Sequence, residues 1–214
     1  MAALETEVVR RESSEDAIVL GVLDVIGRDG HVTQRHVARE LGIALGLVNA
    51  YLKRCIRKGL IKVSQVPHRR YAYYLTPSGF AEKSRLTADY LAHSFAFFRG
   101  ARSQCAEIFT SNAARGQRRI ALVGAGELAE IANLVAREHP IEIAGIVPVT
   151  GVGENLPAAI AALGQVDAFM VTALDRPQDV FDIVRQHVAA ERLYAPALLR
   201  LRLQKAKTPA GEEA

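Results

Sequence analysis

Asn49, Lys53 and Arg57 recur at four-residue spacing in a segment whose apolar residues follow a helical period. Residues spaced this way share one helix face, and Gly46 and Ala50 fall on it too. The chemistry such a face could do is recognition of a polyanion. Asn49 could pair bidentately with adenine or bind a phosphate, Lys53 and Arg57 suit a phosphate backbone, and Gly46 lets the backbone approach closely. The surrounding charge is one-sided. From Leu41 to Ala81 there is no Asp and no Glu, whereas Lys53, Arg54, Arg57, Lys58, Lys62, Arg69 and Arg70 all lie there. Duplex DNA is the partner this implies. A second constellation is Gly124-Ala125-Gly126-Glu127-Leu128-Ala129, a G-x-G-x-x-A turn. In that pattern Gly124 makes the tight turn, Gly126 clears space for a pyrophosphate, and backbone N–H groups at the helix start, around Glu127 and Leu128, face the anion.

The elements that must position the first group are legible. Ile18, Val19, Val22, Leu23 and Ile26 predict an amphipathic helix over 15–28, ended by Asp29-Gly30. Thr33 is a suitable N-cap for a second helix over 34–41, and Gly42 supplies the turn. A third helix follows over 45–58, with Val48, Leu52, Cys55 and Ile56 as its inward row. Ile61–Val63 and Tyr71–Leu75 then read as two strands of a hairpin whose basic tip holds His68, Arg69 and Arg70. An Arg at such a tip can enter a minor groove or clamp a phosphate. Tyr71, Tyr73 and Tyr74 resemble a base-stacking platform but are expected to be packed strand residues.

The segments Thr33–Gly42, Leu45–Asn49, Lys58–Val63, Arg69–Tyr71 and Tyr74–Lys83 together resemble a MarR-type winged helix-turn-helix, closest to the short MarR-like regulators associated with exopolysaccharide clusters. The resemblance covers residues of about 15–100. It implies that the helix from Leu45 reads a major groove, that the loop at His68–Arg70 flanks it, and that polysaccharide-synthesis genes are the targets.

Thr76 and Pro77 open a long helix, to about Arg99 and extendable past Gly100 to Phe109. Its stripe of Leu86, Tyr90, Leu91, Phe95, Phe97 and Phe98 is more apolar than a solvated helix carries. Packing on the same chain or on a second protomer would cover it, and a homodimer is the expectation. Ser111–Gln117 reads as a linker.

The remainder alternates strand and helix. Arg119–Val123, Ile141–Val147, Val166–Thr172 and a strand near Arg192–Ala195 alternate with helices, predicting about four parallel strands. Ala121–Ala129, Val166–Thr172 and Leu193–Ala197 resemble the Rossmann domain of the redox-sensing Rex repressors, which join a winged helix to such a domain and release DNA when NADH binds. By that resemblance NAD(H) or another nucleotide is the candidate effector, with Gly124, Gly126, Glu127 and Leu128 as its contacts. Two features oppose an ordinary NAD site. The second strand ends in Val147-Pro148-Val149 with no acid for a ribose hydroxyl, and Glu127 places a carboxylate where a phosphate would arrive. A degenerate sheet kept only for dimerisation or partner contact is the other reading.

The fold expected is therefore α/β with two domains: a winged helix-turn-helix, a long linking helix and a small Rossmann-like parallel sheet. The divisions are a disordered 1–14, a DNA-binding 15–76, a dimerisation or linker helix 77–117, a Rossmann-like 118–204 and a flexible tail 205–214. Leu198–Leu203 fits an edge strand or a short helix. Charge follows this division. Residues 1–116 hold 17 Lys and Arg against 11 Asp and Glu, whereas 117–214 hold 10 against 12. Cys55 and Cys105 have neither zinc nor disulfide-framework spacing, and buried structural thiols are the expectation. The six His show no metal spacing and there is no G-x-S-x-G elbow. The charged N-terminus does not fit a signal peptide, and no apolar run reaches membrane-spanning length. The reading is a cytoplasmic, non-enzymatic regulator of transcription. The alternative is a small NAD- or nucleotide-sugar-binding enzyme with a basic N-terminal module.

Overall fold

A computed structural model of the chain describes residues 2–66, 70–149 and 156–202. Two compact units divide it, residues 1–95 and 96–214. Among the described residues no helix is long and apolar enough to cross a membrane.

The first unit begins with α1 (Ala2–Arg28). This helix starts well before the predicted residue 15, so the stretch expected to be disordered is helical. The segment is rich in Ala, Leu and Glu and meets no Gly or Pro before Gly21, so nothing interrupts helix propagation. Next is α2 (Gln34–Leu41), where Thr33 accepts the His36 N–H and Gly42 closes the end in the left-handed conformation. After α3 (Leu45–Arg57) come β1 (Ile61–Val66) and β2 (Arg70–Leu75), paired antiparallel from Ile61↔Leu75 to Val66↔Arg70. The helix α4 (Pro77–Ala114) follows. Val22, Leu23, Val37, Val48, Leu52, Ile61 and Leu86 meet in one buried core. The start of α4 is pressed onto the turn between α3 and β1: a Cβ on Gly79 would lie 2.1 Å from the Leu60 carbonyl oxygen. Asp24 ties α1 to α4, accepting from Lys83 at 2.8 Å and from Arg28 at 3.1 Å.

The second unit contains the rest of α4, then β3 (Arg119–Val123), α5 (Glu127–Ala136), β4 (Glu142–Val147), α6 (Leu156–Ala162), β5 (Ala168–Val171), α7 (Pro177–Arg185) and β6 (Leu193–Tyr194). The sheet order is β4-β3-β5-β6, and every pairing is parallel. Ile120–Val123 of β3 and the whole of β5 are continuous apolar runs because both faces are covered. Asp167 accepts the backbone N–H groups of both Arg118 (2.9 Å) and Arg119 (2.8 Å), fixing where β3 begins. The linker expected at Ser111–Gln117 is helical through Ala114, because Asn112 is buried and its carbonyl caps the helix by accepting from Gln117 (2.9 Å). Of the two readings of Leu198–Leu203, helix wins in part, as a 3-10 turn at Ala197–Leu199. The tail 205–214 lies outside the described residues. Both thiols are buried, as expected, and burial pushes that of Cys105 up to about 11.

Lys83 beside Asp24 holds that carboxyl below its ordinary value, chiefly by its hydrogen bond. A lowered folded value means stability present above about pH 4 and lost as pH falls through the folded value. Asp24→Asn should therefore lower the melting temperature at neutral pH, and the gap to the parent should close in acid, as followed by circular dichroism. Gly124 has φ 117° and an added Cβ would lie 2.2 Å from the Ala173 nitrogen. Gly124→Ala should cost about 3 kcal/mol in urea unfolding, combining backbone strain and overpacking.

Candidate nucleic-acid interface

The helix α3 is fixed in rotation by what it buries. Val48, Leu52 and Cys55 are sunk in the core of the first unit. Arg54, one of the seven cations of the acid-free stretch, is turned back to α1: its Nη1 donates to Glu15 at 2.7 Å and its guanidinium lies 6.0 Å from the centre of the Tyr51 ring. The face left open holds Gly46, Asn49, Ala50, Lys53 and Arg57, all five residues predicted on it, and they line one groove of about 680 Å³. Among the described residues no carboxylate lines it. A Cβ on Gly46 would meet nothing within 4 Å, so bare backbone is presented there.

Ile56 is a correction. Predicted inward with Cys55, it is 37% exposed and lines the groove. Eight residues after Val48 it has rotated about 80° off the buried row, onto the side of Asn49 and Lys53. A helical wheel drawn on Val48 and Leu52 carries that signal. An apolar side chain among polar ones suits contact with a thymine methyl.

The hairpin departs from expectation in its aromatics. Tyr73 is packed, with its hydroxyl accepting from Gln34 Nε2 at 3.1 Å, which ties the hairpin to α2. Tyr71 and Tyr74 are 57% and 45% exposed. A two-stranded hairpin has too little protein on its outer side to cover every ring. Arg70 begins β2, paired with Val66. His68 and Arg69 lie outside the described residues.

The glycine turn of the second unit joins β3 to α5 at the carboxyl edge of the sheet. Gly124 donates to the Val147 carbonyl (2.9 Å), and its own carbonyl accepts from the buried Thr172 hydroxyl (2.6 Å). A cleft of about 260 Å³ opens there between the ends of β3, β4 and β5. Gly124 lines it with Ala173, Asp175, Arg176 and Asp179, whereas Gly126, Glu127 and Leu128 do not. Leu128 is in the core. Arg176, with φ 43°, precedes α7 in the left-handed region, and its Nε is 3.7 Å from Asp179. These residues do not fit a dinucleotide. Acids begin α5 at Glu127 and Glu130, no acid follows β4 directly, and the close contact of Gly124 with Ala173 accounts for that glycine through packing. Of the cleft residues after β5, Asp175 reads from the sequence only as a loop or cap residue flanking that strand, because only the strand order brings it to Gly124.

Residues 15–62 match the family described as winged helix-turn-helix DNA-binding. No curated protein matches the chain. Among solved structures, part of the chain is similar to FabT of Streptococcus pneumoniae in complex with DNA, with 27% identity over 38% of this chain and a TM-score of 0.33. The chain spans 59% of that FabT chain. It is similar also to a point mutant of MepR of S. aureus bound to an oligodeoxyribonucleotide, with 21% identity over 45% of this chain and 81% of that one, TM-score 0.33. A further similarity is to PigF with SAH, with 15% identity over 91% of this chain and 59% of that one, TM-score 0.25. By the family match, the N-terminal part of the chain is a winged helix-turn-helix DNA-binding domain, and a four-stranded parallel sheet forms the C-terminal part.

NADH added to the full chain should give no saturable change in its fluorescence up to millimolar concentration. Saturable binding would show that the acids at the start of α5 do not oppose the pyrophosphate.

Proposed function

We propose that the chain is a sequence-specific regulator of transcription that binds double-stranded DNA as a homodimer. The observation that carries the reading is the groove on α3: Asn49 flanked by Lys53, Arg57 and bare backbone at Gly46, with no carboxylate among its lining residues. Its dimensions as one open helix face suit insertion into a major groove, with Asn49 on a base edge and the two cations on phosphates. The basic tip at His68, Arg69 and Arg70 is assigned to the flanking backbone or minor groove. Exposed Tyr90, Leu91, Phe95, Phe97 and Phe98 on α4 support self-association. The sheet unit is assigned to effector sensing or to dimerisation, with the cleft beside Gly124 as the effector site in the first case. Control of polysaccharide-synthesis genes is carried by the resemblance to exopolysaccharide-associated regulators. The protein on this reading is not an enzyme. A mixed set of nucleotide sugars assayed for turnover tests the alternative, and product formation would favour it.

Lys53→Ala and Arg57→Ala should each weaken binding to all duplexes and lower the slope of log affinity on log salt by about 1. Asn49→Ala should cost about 1–3 kcal/mol on the preferred site and relax base preference at one position. Fluorescence anisotropy with a selected duplex, a scrambled duplex and a matched RNA duplex measures all three. Unchanged affinity in every variant, or equal affinity for the RNA, would reject the assignment.

A further inference from the structure

We propose that the outer face of α4 within residues 96–114 binds a second copy of this chain in antiparallel orientation, across a two-fold axis at Ser103, so that Arg99 of each copy pairs with Glu107 of the other. The proposal rests on the homodimer reading and names its contact.

The helix buries one side completely: Ala101, Cys105, Phe109 and Asn112 are all 0% exposed. On the other side a shallow groove of about 790 Å³ runs along the helix past Arg99, Ser103, Ala106, Glu107 and Thr110. The charges on this face are unevenly satisfied. Arg102 pairs with Glu138 at 2.6 Å. Glu107 accepts a hydrogen bond from Ser103 at 3.2 Å but has no cationic partner among the described residues, and Arg99 has no acidic one. They cannot serve each other, since eight residues separate them by about 12 Å along the axis.

The spacing supplies the geometry. Arg99 and Glu107 stand four residues on either side of Ser103. Two antiparallel copies related by a two-fold axis at Ser103 bring Arg99 to the height of Glu107, twice, as an isologous contact requires. A parallel pair would set Arg99 beside Arg99 and Glu107 beside Glu107. Charge thus selects the antiparallel arrangement. The other residues along this face are mostly short. Ala96, Ser103, Ala106 and Thr110 permit helix axes to approach to about 9–10 Å, and short side chains lose little rotamer freedom on contact. Gly100 is a separate observation. It costs an isolated helix about 1 kcal/mol relative to Ala, yet a Cβ there would meet nothing within 4 Å, so packing within the chain does not require it. In the antiparallel pair it lies beside Glu107 of the second copy and leaves room for that side chain.

Sedimentation equilibrium of the full chain tests the register. Arg99→Glu and Glu107→Arg should each weaken dimerisation at least about tenfold, by replacing two attractive contacts with repulsive ones. The double variant should return to within about threefold of the parent, because both contacts are then restored with reversed sign. Circular dichroism checks that every variant is folded. Ser103→Cys should give an intermolecular disulfide on mild oxidation, while Cys55 and Cys105 stay buried. A dimer indifferent to either single reversal, or a double variant that stays monomeric, overturns this register and leaves the homodimer reading intact. A parent that is monomeric at every concentration overturns both.

Discussion

Burial of one row of α3 is the constraint on which the rest depends. Val48, Leu52 and Cys55 sit in the core with Val22 and Leu23 of α1, and a helix held by that row has only one face left to present. Glu15 and Tyr51 then hold Arg54 back toward α1, outside the lining of the groove. The face that remains is cationic because the local sequence contains no acid to neutralise it. The geometry of α3 therefore sets the direction of the field as well as the position of Asn49. A long-range attraction of this kind speeds encounter with any polyanion, whereas discrimination among sequences must come from the short-range groups it delivers.

The sheet unit illustrates how one motif can answer to two different demands. A G-x-G-x-x-A turn can open a strand-helix junction for a pyrophosphate, or it can let two backbone segments pack closely. Gly124 does the second, with Ala173 against it and the Thr172 hydroxyl bonded to its carbonyl. Ala129 is buried where α5 meets the sheet. The turn is thus a structural fastening between neighbouring parallel strands, and the cleft beside it is lined mainly by residues that the glycine pattern does not include.

What the sequence reveals follows the strength of local signals. The helix α2 is readable to the residue because Thr33 and Gly42 punctuate both ends. The central strands of the sheet unit are readable because Ile120–Val123 and Ala168–Val171, buried on both faces, are continuous apolar runs. Ile56 misleads because it adjoins Cys55 at the border of the apolar arc, where one residue's rotation decides its side. Tyr71 and Tyr74 mislead because aromatic composition favours a strand without saying whether anything covers it. Ser111–Ala114 has the composition of a linker, but the buried side chain of Asn112 donates to the Ile108 carbonyl and keeps the helix intact. Asp175, Arg176 and Asp179 could not be tied to Gly124 at all, since strand order alone makes them neighbours.

Gly46 has a consequence for how such a surface can change. The space above it is empty and the residue contributes nothing to the core, so a larger side chain there would project outward without displacing any neighbour. Val48, Leu52 and Cys55 are coupled to the hydrophobic interior and tolerate little variation. Gly46 is uncoupled from it, which makes it a point at which related chains can diverge in the motif they prefer while retaining the same scaffold.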